Sequence, residues 1–115
     1  MNSTYYKENI HNRVIKELPE NSSIICSFIG GSFSWKSRPY CDIDVIVVVN
    51  GKGRFGKEFF IKDTSLGLID VIIVSYSVWI DKWAFLDNKL IKKYPENLLY
   101  GKFPQIDIDS MDFLR

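Results

Sequence analysis

Histidine occurs once in this chain, cysteine twice and proline four times among 115 residues, and no uncharged run is long enough to cross a membrane. The lone His11 falls in the first helical segment and is expected at the surface, which excludes a catalytic triad that depends on histidine. Cys26 and Cys41 sit in apolar, strand-like segments. They are too few for a disulfide scaffold and lack C-x-x-C spacing, so they read as buried thiols of a reducing compartment. The longest uncharged run, 21–35, holds a Gly pair and several Ser and falls short of the ~20 apolar residues of a spanning helix. The N-terminal segment carries Lys7, Glu8, Arg13, Lys16 and Glu17, so it lacks the uncharged core of a signal peptide. A soluble, cytoplasmic protein is the expectation. An excess of one charge sign is missing as well. Fifteen Lys plus Arg against fourteen Asp plus Glu leave +1, so net charge does not announce nucleic-acid binding and any electrostatic site must be local.

What the chain does have is the composition of a folded domain, 46% hydrophobic and 25% charged. Its length suits one domain, 1–115. The 15% aromatic content points to heavy core packing or to some exposed sticky surface. Tyr5, Tyr6, Ile10, Val14 and Leu18 recur at the helical period and stop at Pro19. Residues 22–29 and 41–49 are β-rich apolar runs closed by Gly30-Gly31 and Asn50-Gly51. Between them, 32–37 has room for a turn or two of helix before Pro39. Residues 57–62 and 68–74 read as a strand pair joined by a hairpin at 63–67. Then Trp79, Trp83, Leu86 and Leu90 form a helical stripe, expected as a core face with a partner surface as the alternative. Residues 96–115 show no clear pattern. The sum is an α/β (α+β) fold, a mixed sheet of about four strands packed against helices.

The chemistry concentrates in Ile29-Gly30-Gly31-Ser32, a nine-residue connection, and Asp42-Ile43-Asp44 opening an apolar strand. Side chains alternate along a strand, so Asp42 and Asp44 project from one face, and two acids placed so repel unless a cation lies between them. Few protein ligands plus phosphate oxygens is the preference of magnesium. Asp70 lies in the middle of Leu-Ile-Asp-Val-Ile-Ile-Val, where burial of a charge costs several kcal/mol unless it is paired or bound to metal. If its strand lies beside 42–49, three carboxylates converge and can hold two cations ~4 Å apart. The Gly-Gly-Ser turn offers free amides for an anion. The bland readings are an acidic strand start for Asp42 and Asp44, a buried ion pair for Asp70 and a plain capped turn for Gly31-Ser32. The pair Asp107-Ile108-Asp109 has the same spacing without the glycines or the apolar strand, and reads as a solvated tail.

Gly31-Ser32, nine residues, Asp42-Ile43-Asp44 and a downstream strand carrying Asp70 together resemble the DNA polymerase β-type nucleotidyltransferase superfamily, especially its minimal and antibiotic-modifying members. The resemblance covers roughly 24–74, with a weaker echo at Leu98-Leu99-Tyr100-Gly101. It implies the polymerase β palm-like fold and two Mg²⁺ ions, with Mn²⁺ as a substitute, held by Asp42, Asp44 and Asp70. It further implies that Asp70 helps deprotonate an acceptor hydroxyl and that Gly30, Gly31 and Ser32 hold the phosphates of a nucleoside triphosphate, ATP being expected. Relatives often place Arg-Gly after the Ser; here Phe33-Ser34-Trp35-Lys36 stands there, leaving Lys36 or Arg38 to neutralise phosphate charge. The implied activity is transfer of a nucleoside monophosphate to an acceptor hydroxyl. The acceptor pocket is expected to be completed by a helical HEPN-type partner, in a toxin–antitoxin pairing, or by a second copy of the chain. A small-molecule acceptor, or a silent binding module of the same fold, are the alternatives. Lys52, Arg54 and Lys57 lie in or beside a Gly-rich loop that is either solvated or in contact with an acidic acceptor or RNA.

Overall fold

The computed structural model describes residues 3–19, 23–30, 43–51 and 53–104. Helix α1 (Ser3–Lys16) is followed by strands β1 (Ile24–Ile29), β2 (Ile43–Val49), β3 (Gly56–Asp63) and β4 (Gly67–Ser75), then α2 (Tyr76–Lys82), α3 (Ala84–Lys93) and β5 (Leu98–Gly101). All five strands form one mixed sheet in the order β3-β4-β2-β1-β5, an α+β architecture. Only β2 and β4 run parallel; the other neighbours are antiparallel. Among the described residues, no helix is long and apolar enough to cross a membrane.

Period-2 alternation explains how the sheet is covered. One face carries Ile43, Val45 and Val47 of β2 with Ile69, Val71 and Ile73 of β4, and Ile10 and Val14 of α1 join this core. The opposite face holds Cys26, Phe28, Val48 and Val74, which pack with Trp79 of α2 and Ala84 of α3. This second layer is only partial. Along β2 and β4 both faces are buried over the last three residues, whereas in the earlier stretch alternate positions stay half-buried. The half-covered stretch contains Asp44 and Asp70.

The hairpin at 63–67 forms as expected. Asp63 Oδ1 accepts from the amides of Ser65 and Leu66 and from the Ser65 hydroxyl, and Gly67 takes φ +90° to re-enter the strand. Three expectations need correction. A fifth strand, β5, pairs with β1; at four residues it is too short for periodicity to reveal, and it is fixed by tertiary contacts. The Asn97 side chain donates to Ile29 O at 3.1 Å, and the His11 ring stacks on Tyr100 at 4.6 Å, so His11 is half-buried rather than a free surface group. The helical stripe is not one face either. The helix breaks at Trp83 (φ −120°, ψ −16°), and Trp79 Nε1 donates to Asp87 across the break at 2.8 Å. The break changes the phase, so α3 buries Ala84 and Asn88 while Trp83 and Leu86 are 38% and 66% exposed. The core-face reading therefore holds for Trp79 and not for Trp83 or Leu86. Arg54 of the Gly-rich loop pairs with Asp81 of α2 at 2.7 Å, and Cys26 is a buried free thiol, pushed up to about 12 mainly by burial and then by Asp87. Cys41 and Lys52 lie outside the described residues.

Two glycines separate strain from collision. A Cβ on Gly67 would meet nothing within 4 Å, whereas on Gly101 (φ +79°) it would strike the carbonyl oxygen of Ile25 in β1. Gly67→Ala is expected to lower unfolding free energy by about 1 kcal/mol and Gly101→Ala by about 2 to 3 kcal/mol, measured by urea denaturation. Burial also raises Asp87 to about 6, partly opposed by the Trp79 hydrogen bond. Because the folded state then holds this proton more tightly than the unfolded state, the associated stability is full below about pH 4 and is lost as pH rises through about 6. Asp87→Asn, which still accepts from Trp79, is expected to abolish a fall of about 1 to 2 kcal/mol between pH 4 and 7 in pH-dependent denaturation.

Candidate active site

Parallel pairing of β2 with β4 runs from Ile43↔Ile69 to Val49↔Ser75 and sets Asp44 directly beside Asp70. Paired residues on neighbouring strands point to the same face, with backbones about 4.8 Å apart, so the two carboxylates stand side by side. The apolar residues flanking each acid explain the local folding. Ile43 and Val45, and Ile69 and Val71, turn into the α1 core, which leaves Asp44 and Asp70 no choice but the opposite face. Gly30 closes the arrangement from the other side. It ends β1, and its amide donates to Asp44 O at 2.8 Å. A Cβ here would press on Ile46 Cδ1 at 2.8 Å, so glycine allows this close approach.

The electrostatics at Asp70 are unfavourable. Asp70 Oδ1 is buried and makes no hydrogen bond. Ser27 Oγ and Asn88 Oδ1 are the other such atoms among the described residues, and both are neutral. Burial, and then the neighbouring Glu58, raise the Asp70 carboxyl above its ordinary value. No arginine or lysine ion pair to Asp70 is formed among the described residues. An orphaned carboxylate oxygen beside a second carboxylate fits a divalent cation, whose charge would offset the desolvation of both acids. Among the described residues, no group of three or more His, Cys, Asp or Glu comes together at metal-binding distances. Asp42, Gly31, Ser32, Lys36 and Arg38 lie outside the described residues, as does the pair Asp107 and Asp109.

Two residues at the site were missed from the sequence. Strand β3 pairs with β4 so that Phe60 stands opposite Asp70 and Glu58 opposite Ile72. Phe60 is 62% exposed, an unusual position for a phenylalanine, beside a half-buried acid. The signal was present. Alternation in 57–62 puts Glu58, Phe60 and Lys62 on one face, and the hairpin makes that the Asp70 face. A cavity lies elsewhere, at the far end of β2 near Val49 and Asn50. No family model, curated protein or solved structure matches the chain.

A half-buried carboxylate with one orphaned oxygen beside Glu58 costs stability. Asp70→Asn is expected to raise unfolding free energy at pH 7.5 by about 1 kcal/mol in metal-free buffer. The sign follows from the raised carboxyl: the wild type loses stability as pH rises through the folded value, and the amide does not. Urea denaturation with a chelator present measures it, and equal or lower stability would show that Asp70 is satisfied in the fold.

Proposed function

We propose that this protein is a metal-dependent nucleotidyltransferase that moves a nucleoside monophosphate from a nucleoside triphosphate, ATP in the first instance, to an acceptor hydroxyl. The observation that carries the reading is the in-register Asp44–Asp70 pair with its orphaned oxygen, next to Gly30 at the end of β1. The arrangement accords with a polymerase β palm-like fold, in which a Gly-Ser turn and an Asp-x-Asp strand meet a third acid on a neighbouring strand.

Asp44 and Asp70, with Asp42 from the same strand segment, would hold the Mg²⁺ or Mn²⁺ ions. When bound, these ions neutralise triphosphate charge and make the acceptor hydroxyl more acidic. The protein's own contribution is positioning. Gly30 leaves the backbone open at the end of β1, and Gly31 and Ser32, which follow it in sequence, are the residues that the resemblance assigns to the β and γ phosphates. Asp70 sits at the acceptor side and takes up the hydroxyl proton. The acceptor oxygen forms a bond to the α-phosphorus as the bond to pyrophosphate breaks, with Lys36 or Arg38 offsetting charge on the leaving group. The exposed Phe60 ring beside Asp70 gives the acceptor an apolar surface to lie against.

A macromolecular acceptor is favoured by the aromatic surface. Trp83, Leu86 and Phe60 are all exposed, a pattern that belongs to contact with another polypeptide. A helical HEPN-type partner modified by its cognate antitoxin, or a second copy of this chain, fits that description. The test is direct: incubate the chain and whatever copurifies with it with Mg²⁺ and each nucleoside triphosphate, then look by mass spectrometry for a gain of one nucleoside monophosphate. The expected adduct appears with one triphosphate and falls by about 10²- to 10³-fold or more in Asp44→Asn. An adduct formed equally by Asp44→Asn contradicts the proposal. So does protection of a toxic partner by Asp44→Asn without transfer, which identifies a binding module instead.

A further inference from the structure

The second face of interest lies at the opposite end of the same two strands. Val49 is five residues beyond Asp44, about 16 Å along β2. There a cavity of about 450 Å³ opens between the end of α1 and the β3 side of the sheet. That volume is in the range of sites that enclose small molecules. Its walls are apolar: Val49, Phe55, Phe59 and Ile73, closed on one side by Pro19. Ser23 and Asn50 place polar groups at its border.

Charge at the rim selects the ligand. Glu17 and Lys57 both line the cavity. Glu17 is paired with Arg13, at 2.6 Å, a guanidinium it shares with Asp63. Lys57 stands opposite Ile73 in the β3–β4 pair, and among the described residues no carboxylate pairs with it. Among the described residues, the cavity thus has an aromatic and aliphatic interior and a cation without an ion pair, Lys57, at its mouth. Filling it with an apolar body removes the half-buried Phe59 and the 43% exposed Phe55 from water.

We propose that this cavity is a binding site for a small ring-bearing monoanion, with its ring against Phe55, Phe59 and Ile73 and its carboxylate, sulfonate or phosphate on the Lys57 ammonium. The site is separate from the carboxylate pair and does not depend on the transferase reading.

The probe is 8-anilinonaphthalene-1-sulfonate, a naphthalene and a phenyl ring with one sulfonate, followed by fluorescence titration of the full chain. N-phenyl-1-naphthylamine is the neutral counterpart. One saturable site is expected. Lys57→Met should raise the Kd for the sulfonate about fivefold and leave the neutral compound unchanged. Phe55→Ala should weaken both, with the fold checked by circular dichroism. Lys57→Met and Phe55→Ala alter exposed side chains, so neither requires a core change. Absence of saturable binding overturns the proposal. So does a sulfonate Kd indifferent to Lys57→Met, or fluorescence that is lost in Leu86→Glu and kept in both cavity variants, which would put the dye on the exposed α2–α3 surface.

Discussion

The structure depends on one pairing, the parallel ladder between β2 and β4. Parallel neighbours cannot be joined by a tight turn. Here the chain reaches β4 by way of β3, which folds back as an antiparallel hairpin at the sheet edge. The Asp63–Gly67 turn fixes the β3–β4 register, and the β2–β4 register decides that Asp44 and Asp70 meet. A slip of one residue would turn Asp70 into the α1 core and bring Ile69 and Val71 out of it, exchanging a row of buried aliphatics for a buried charge. The hydrophobic cost of that slip is what holds two like charges together.

The coverage of the sheet resolves the conflict between burial and function. Helix α1 seals one face, where β2 and β4 supply isoleucine and valine in alternation. Helices α2 and α3 seal the other face only around Val48, Val74, Cys26 and Phe28. Among the described residues, the remaining half presents Asp44, Asp70 and Phe60 at a polar–apolar boundary. The same division separates the cavity near Val49 from the acids. They occupy opposite ends and opposite faces of one ladder.

Much of this was legible in the residues. Strand alternation and the hairpin signal at 63–67 located β3 and β4 to within one residue at either end, because Asp63 and Gly67 have definite turn chemistry. Asp70 stood out because a charge interrupts an otherwise apolar strand. What could not be read is tertiary in origin. Strand β5 has no periodicity of its own and exists through Asn97, Tyr100 and the β1 edge. The helix break at Trp83 is set by the Trp79–Asp87 bond and by the burial of Asn88, neither of which follows from a stripe of apolar residues. Phe60 and Glu58 were hidden because their relation to Asp70 requires the register and not only the strand.

The central claim is that Asp44 and Asp70 form a divalent-cation site whose electrostatic cost the ion offsets. Thermal unfolding with Mn²⁺ titrated into the wild-type chain and into Asp44→Asn and Asp70→Asn variants tests it most directly, without need of nucleotide or acceptor. The account predicts a saturable rise in midpoint temperature for the wild type that is lost in both variants. An equal rise in all three, or none in the wild type at millimolar Mn²⁺, contradicts it.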